Sequence, residues 1–244
     1  MPGERGTTFK EDGPRLLVFA GPPSAGKSAV IRQIVPRLTS LGERPPYYVK
    51  VDVVRSRELR LMERLGWTSE ALVEPDFCPD QTWFERLPAV IERASGAPLL
   101  IAETAGLCAR CSPYVLEGVA IVVFEATAGL DTVDKLGPLM STADLAVVTH
   151  GDRLSQGERD LLRARLAQRH PSEAIHFLNG LTGEGSARVA RLIDGRLAAS
   201  PRLQPGETLR EALTPRSAPP RLFCSLCLGR KDLPILDAPM VSSC

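Results

Sequence analysis

The stretch Gly21-Pro22-Pro23-Ser24-Ala25-Gly26-Lys27-Ser28 has the pattern G-x-x-x-x-G-K-S. It lies between a short apolar run, Leu16 to Ala20, and a segment with apolar residues at helical spacing up to Leu38. Strand, glycine loop and helix in this order are the context in which the pattern binds phosphates. Lys27 then reaches the β- and γ-phosphates, and the Ser28 hydroxyl coordinates Mg²⁺. The residues predicted to contact the nucleotide here are Gly21, Ser24, Ala25, Gly26, Lys27 and Ser28.

The composition suits one large domain, or one domain with an appendage. The chain has 244 residues, of which 43% are hydrophobic and 24% are charged, and its net charge of +1 gives no sign of nucleic acid or an acidic membrane as partner. The segment Met1 to Arg15 is polar, unlike a signal peptide, and no apolar stretch is long enough to span a bilayer. We therefore expect a cytoplasmic protein, whose six cysteines are ligands, reactive thiols or core residues and not disulfides.

The apolar runs of the chain are nearly continuous, which is typical of strands buried on both faces of a parallel sheet. We predict an α/β P-loop fold with a mostly parallel central sheet and helices on both faces. The predicted strands are Leu16–Ala20, Tyr47–Val51, Leu99–Ala102, Val119–Phe124, Leu145–Val148 and Ile175–Leu178. The predicted helices are the one reaching Leu38, Arg55–Arg64, Trp83–Ala94, Ser155–Gln168 with Ser155 and Glu158 as its cap, and Ser186–Ala199. A loop is predicted from Glu74 to Gln81.

The chain divides into three segments by composition. Residues 1–14 are predicted to form a flexible arm, and residues 15–200 the P-loop domain. Residues 201–244 contain prolines at 201, 205, 215, 219 and 220 within a polar segment. We expect this segment to be a linker and a C-terminal appendage that contains a C-x-x-C pair.

Two acidic residues follow predicted strands where a nucleotide site needs them. Glu103-Thr104-Ala105-Gly106 resembles the D-x-x-G element that senses the γ-phosphate in GTPases, with Glu in place of Asp. Gly106 would supply a backbone N–H to that phosphate, and Glu103 would act on Mg²⁺ or its water. Asp52 is a second candidate for the Mg²⁺ shell, or alternatively a turn residue at a strand end.

The segment Thr149-His150-Gly151-Asp152 stands where a GTPase carries N-K-x-D. Asp152 is placed to accept hydrogen bonds from guanine, and His150 could stack on the base. Because Thr149 and His150 depart from the pattern, we expect a modest preference for GTP over ATP. Thr182-Gly183-Glu184-Gly185 is predicted to be the last base-contacting loop.

Together these motifs resemble the SIMIBI-class nickel-insertion GTPases that serve hydrogenase and urease, and their relatives of the cobalamin-synthesis W type. The resemblance covers residues 15–199. The phosphate loop lacks the early lysine of the nitrogenase iron-protein type. Further matching elements are the Glu-x-x-Gly segment at Glu103, Ser112-Pro113, Gly137-Pro138, Ala143-Asp144-Leu145 and Thr182-Gly183-Glu184-Gly185.

The segment Cys78-Pro79-Asp80 corresponds to Cys-Pro-His in the urease GTPase and Cys-His in the hydrogenase GTPase. The resemblance implies that Cys78 binds nickel or zinc at a dimer interface formed in the presence of GTP. Asp80 replaces the histidine and is a harder ligand. The alternative is that Cys78 is a half-buried small residue.

Two C-x-x-C pairs are candidates for a thiolate site. Cys108 and Cys111 follow the γ-phosphate element directly, and two such pairs in a dimer would form a four-sulfur site for zinc or a [4Fe–4S] cluster. Cys224 and Cys227 could pair with them, with Cys244 or with a partner. The alternatives are a thiol pair without metal and a disordered tail with incidental cysteines.

The resemblance implies a GTPase that dimerises with GTP and assists assembly of a metal centre, with nickel expected, in a client metalloenzyme or with its accessory proteins. Lys27, Glu103 and Asp52 are the predicted catalytic residues. One rival is a redox ATPase whose dimer-bridging iron–sulfur cluster activates a partner enzyme. Another is a small-molecule kinase, for which the phosphate loop alone would also serve.

Overall fold

The computed structural model describes residues 13–52, 58–73, 78–104, 112–204 and 213–217. Within them lies one seven-stranded sheet in which every pairing is parallel, in the order β3-β2-β4-β1-β5-β6-β7. The strands are β1 Arg15–Ala20, β2 Tyr47–Asp52, β3 Thr68–Val73, β4 Leu99–Thr104, β5 Gly118–Glu125, β6 Leu145–Thr149 and β7 Ile175–Phe177. The α/β P-loop fold predicted from the sequence is confirmed.

Helices cover both faces of the sheet. Along β1, Leu16 and Val18 pack into one core with α3 to α6, and Leu17 and Phe19 pack into the other core with α1, α2 and α7. Because successive side chains of a strand point to opposite faces, both sets must be apolar, hence the unbroken apolar runs. The helices are α1 Lys27–Ile34, α2 Glu58–Arg64, α3 Pro79–Arg93, α4 Asp131–Lys135, α5 Gly137–Thr142, α6 Gln156–Ala167 and α7 Ser186–Ala199.

Two helix boundaries differ from the sequence predictions, and both involve proline. Helix α1 ends at Ile34 and continues only as a 3₁₀ turn, because Pro36 lacks the N–H that an α-helical bond at this point requires. Helix α3 begins at Pro79, inside the predicted loop, since proline suits the first helical position. The cap of α6 is confirmed: Ser155 and Glu158 form a capping box. None of the described helices has the length and apolarity needed to cross a membrane.

The prediction of six strands was wrong by one, because it omitted β3. This strand lies at the edge of the sheet and pairs only with β2. Its residues are half-buried or exposed, and Glu70 within it forms an ion pair with Arg93 of α3 at 2.9 Å. An edge strand that is not buried on both faces carries no continuous apolar run, so the sequence pattern did not show it.

Segments beyond α7 also contact the sheet. Leu203 is buried in one core, and its N–H donates to Pro14 O at 2.9 Å. Arg216 donates to the carbonyl oxygens of Val115 and Gly118 and pairs with Asp144 at 2.9 Å. These contacts fasten residues 201–204 and 213–217 to the P-loop domain. The boundary at residue 200 between the P-loop domain and a C-terminal appendage stays a prediction.

Candidate functional site

The phosphate loop connects the end of β1 to the start of α1, in the middle of the sheet. Gly21 has φ +151°, and a Cβ on it would lie 2.1 Å from Val123 O, so this position admits only glycine. Gly26 has φ +82° and is the N-cap of α1. The loop is therefore fixed by two glycines, and the N-terminus of α1 faces the space where phosphates are predicted to bind.

Lys27 lies over this loop. Its ammonium donates to Gly21 O and Pro22 O, both at 2.8 Å, and the residue is buried. Burial lowers the pKa of Lys27 to about 8, although the neighbouring Glu103 opposes this effect. Because a buried ammonium is poorly solvated, an anion that approaches the loop would gain strongly from contact with it.

Glu103 is the centre of a buried polar cluster at the end of β4. Its carboxylate is 1% exposed and accepts from the Ser28 hydroxyl at 2.9 Å, from the Tyr48 hydroxyl at 2.7 Å and from the Lys50 ammonium. Burial, and then Glu103, raise the pKa of Tyr48 well above its usual range, so this hydroxyl stays a donor. The carboxylate is thus ionically paired, hydrogen-bonded and directed at the serine predicted to bind Mg²⁺.

Tyr48 and Lys50 were not among the candidate residues from the sequence. They lie two positions apart on β2, so both side chains project from the same face of the sheet. Lys50 is in register with Glu103 of β4. The sequence did contain one indication of this cluster, because Lys50 is a charged residue within an otherwise apolar strand. Its partner could not be named, because the pairing of β2 with β4 joins positions more than fifty residues apart.

The other acidic candidates lie near the same cluster. Asp52 is the last residue of β2. Burial lowers the pKa of Lys27, and the charges of Asp52 and of Glu58, at the start of α2, oppose that lowering. Glu58 was not predicted. Gly106, the predicted backbone donor to the γ-phosphate, lies outside the described residues.

Thr149 joins the two halves of the candidate site. It ends β6, is 2% exposed and donates through its hydroxyl to Ala25 O of the phosphate loop at 2.8 Å. His150 follows with φ +55°, and its Nδ1 lies 3.1 Å from the Thr149 hydroxyl and 3.8 Å from Glu125 Oε1. Thr149 therefore connects the predicted base segment to the phosphate loop.

Asp152 lies in the turn after β6 and is exposed. The facing loop follows β7 and is organised by Asn179, whose side-chain oxygen accepts from the N–H groups of Leu181 and Thr182 at 2.9 and 3.1 Å. The amide of Gln33 on α1 donates to this loop as well. The structure thus brings the two predicted base segments to the same end of the sheet as the phosphate loop.

The cysteine candidates are only partly described. Cys78 is buried at the N-cap of α3, and Asp80 is buried in the first turn of that helix. Across the described ranges, no three His, Cys, Asp or Glu side chains come close enough to hold a metal ion. Cys108, Cys111, Cys224, Cys227 and Cys244 lie outside those ranges.

The geometry defines the class of protein: a P-loop nucleotide-binding fold with a lysine and a serine at its phosphate loop. The chain belongs to the same family as the uncharacterized protein MJ0120 of Methanocaldococcus jannaschii. The two are 33% identical over 217 residues, which cover 88% of this chain and 89% of that protein. No protein-family model matches the chain.

Solved structures of P-loop proteins share the fold. The hydrogenase maturation factor HypB from Archaeoglobus fulgidus has a TM-score of 0.59 at 20% identity and covers 76% of this chain and 91% of its own. HypB from Helicobacter pylori in complex with nickel has a TM-score of 0.58 at 15% identity, over 77% and 88%. FlhF complexed with GMPPNP and Mg²⁺ has a TM-score of 0.51 at 16% identity, over 75% and 74%. At these identities the likeness shows a shared fold.

Proposed function

We propose that this protein is a GTPase that binds GTP with Mg²⁺ and hydrolyses it to assist the assembly of a metal centre, nickel in the first instance, in a client enzyme. The observation that carries the GTPase part is the buried cluster of Ser28, Tyr48, Lys50 and Glu103 beside Lys27. A glycine-rich turn without a phosphate function would not need two buried lysines and a buried carboxylate, because charged groups are costly to bury.

Each side chain has a task in hydrolysis. Lys27 exchanges its contacts to loop carbonyls for contacts to the β- and γ-phosphates. Ser28, with Glu103 and Asp52 nearby, would hold Mg²⁺, and this ion would neutralise charge on the phosphate oxygens. Tyr48 and Lys50 donate to the Glu103 carboxylate and hold it oriented toward Ser28. The loop amides and the N-terminus of α1 stabilise the negative charge of the triphosphate.

The base is selected at the other end of the site. Asp152 accepts hydrogen bonds from the guanine N1–H and amino group, and His150 stacks on the ring. Thr149 holds this segment against Ala25 O of the phosphate loop. Since two residues of the usual base motif are changed, the preference for GTP over ATP is modest.

The proposed metal function is supported by the cysteine pairs and by two solved structures that share the fold. One is the hydrogenase maturation factor HypB, and the other is HypB in complex with nickel. Arg216 N–H donates to Tyr114 O at 2.8 Å, and Leu116 N–H donates to Thr214 O at 2.8 Å. In the sequence, Cys111 precedes Tyr114 by three residues and Cys224 follows Arg216 by eight. The two C-x-x-C pairs therefore flank chain segments that hydrogen-bond to each other.

Phosphate release from GTP and from ATP, with no acceptor substrate added, tests the nucleotide part of the proposal. We expect slow turnover with both nucleotides and modestly tighter binding of GTP than of ATP. Turnover that requires an added acceptor would identify a kinase instead. A higher affinity for ATP than for GTP would favour the redox ATPase.

Metal analysis of the anaerobically purified protein, with and without a non-hydrolysable GTP analogue, tests the metal part. We expect a thiolate-bound metal whose affinity changes with nucleotide and which is lost in the Cys108→Ser/Cys111→Ser variant while GTP binding persists. Retained GTP binding is the control that the double variant is folded. Equal metal binding by the double variant and wild type would refute the site.

A further inference from the structure

A cavity of about 350 Å³ opens at the outer edge of β7, between α6 and the start of α7. None of its described lining residues belongs to the phosphate loop, and neither Thr149 nor His150 lines it. Liquid water occupies about 30 Å³ per molecule, so the cavity has room for a small organic ligand. It is a separate space from the phosphate half of the nucleotide site.

Three arginines line this cavity. Arg159 and Arg163 come from α6, and Arg188 comes from the first turn of α7. None of the three forms an ion pair with a carboxylate of the described residues. Arg163 stacks over the ring of Phe177 at 5.3 Å. Among the described residues, Arg159 donates its Nε–H alone, to Leu154 O. Most of their N–H donors are therefore available to a ligand.

The N-terminus of α7 also borders the cavity. This helix is 14 residues long, and its N-cap, Gly185, provides no side-chain cap. The first turn contains no acidic residue, whereas it does contain Arg188. A cation near the positive end of the helix dipole is unfavourable by itself, and an anion in the cavity would compensate for both charges.

His176 is a separate polar feature of the cavity wall. The residue is 6% exposed and lines the cavity, yet its Nε2 atom has no hydrogen-bond partner in the part of the chain that the structure describes. A buried polar atom without a partner costs free energy that a ligand could recover. Burial, and then Arg188 and Arg163, lower the pKa of His176.

Two carboxylates, Asp152 and Glu184, line the cavity as well. The proposed function assigns Asp152 to guanine, so Glu184 is the carboxylate left to accept from a second ligand. A ligand that suits the remaining groups has an anionic end for the arginines and a hydroxyl donor for Glu184. We propose that this cavity binds a small phosphate monoester that carries hydroxyl groups, with its phosphate held by Arg159, Arg163, Arg188 and His176. Three guanidinium groups and a helix N-terminus offer more hydrogen-bond donors than the two oxygens of a carboxylate can accept. A phosphate monoester has three terminal oxygens and therefore suits this set of donors better.

The three histidines of the chain allow a direct test by NMR of their ring signals. The probe is glycerol 3-phosphate, and inorganic phosphate, which lacks the glycerol hydroxyl groups, is the comparison ligand. We expect saturable movement of the His176 signals, with tighter binding of glycerol 3-phosphate. His150 lies beside Thr149 and reports on the phosphate loop. His170, which is buried and does not line the cavity, is the internal control.

Matched arginine variants identify the ligand-binding groups. Loss of one charge-assisted hydrogen bond corresponds to about tenfold weaker binding, which we expect for Arg163→Gln and for Arg188→Gln. Arg191→Gln is the control, because Arg191 is exposed on the same helix and does not line the cavity. The proposal is overturned if the His176 signals do not respond to glycerol 3-phosphate, or if Arg188→Gln binds it as tightly as Arg191→Gln. A response of His150 alone would mean that the probe binds only at the phosphate loop, which also overturns it.

Discussion

The two ends of the candidate nucleotide site are held together differently. At the phosphate end, Glu103 satisfies donors from Ser28, Tyr48 and Lys50 in a buried cluster, and Lys27 lies against loop carbonyls. At the base end, Asp152 is exposed. In the adjoining cavity at β7, the arginines have no carboxylate partner and His176 Nε2 has no hydrogen-bond partner among the described residues. The polar side chains of the phosphate end are therefore held in place by one another, whereas those of the base end are left to contact a ligand.

The largest expected effect is at the phosphate end. Lys27→Ala removes the positive charge predicted to contact the transferred phosphoryl group, so GTP hydrolysis should fall below detection. Phosphate release with saturating GTP measures this, and Lys135→Ala, which changes an exposed lysine on α4, is the control. Turnover at the wild-type rate in the Lys27 variant would contradict the phosphate-loop assignment.

The buried ion pair of Lys50 and Glu103 should contribute to stability far more than an exposed pair. Lys50→Met leaves a buried carboxylate without its cation, and we expect the free energy of unfolding to fall by about 3–5 kcal/mol. The double variant Lys50→Met/Glu103→Gln should recover part of this loss. Urea unfolding measures both variants.

The more exposed ion pair of Arg93 and Glu70 provides the comparison for this measurement, because it also links two elements of the fold, α3 and β3. Arg93→Met should cost at most about 1 kcal/mol, because solvent screens exposed ion pairs. Equal losses for Lys50→Met and Arg93→Met would mean that the cluster around Glu103 is not the rigid part of the site.

Thr149 tests the connection between the two ends. Thr149→Val removes the hydroxyl that donates to Ala25 O and leaves that carbonyl unpaired, at a cost of about 2 kcal/mol. We expect this loss in the affinity for GTP, measured by titration calorimetry. Thr149→Ser keeps the hydroxyl and should bind nearly as wild type. If both variants bind alike, the hydrogen bond does not position the loop.

The smallest expected effect concerns the base end alone. Asp152→Asn reverses one donor–acceptor pair, so preference should shift from GTP toward xanthosine triphosphate, by about tenfold. Competition binding with the two nucleotides measures the shift, and Asp160→Asn on the exposed side of α6 is the control. An unchanged preference would place guanine recognition elsewhere.

The sequence by itself determined the features that depend on local chain chemistry. The phosphate loop follows from Gly21, Gly26, Lys27 and Ser28, and the buried parallel strands follow from continuous apolar runs. The cap of α6 was visible in Ser155 and Glu158. Such features need only neighbouring residues, because turns, caps and side-chain periodicity are set within a few positions of each other.

The tertiary structure alone decided the features that join distant segments. Lys50 meets Glu103 because β2 pairs with β4 in one particular register, and Thr149 meets Ala25 because β6 ends beside the loop after β1. The cavity at β7 exists because α6 and α7 cover opposite faces of an edge strand. Because the central strands are apolar on both faces, their hydrophobic pattern does not discriminate one register from another, and packing of the whole sheet sets strand order and register.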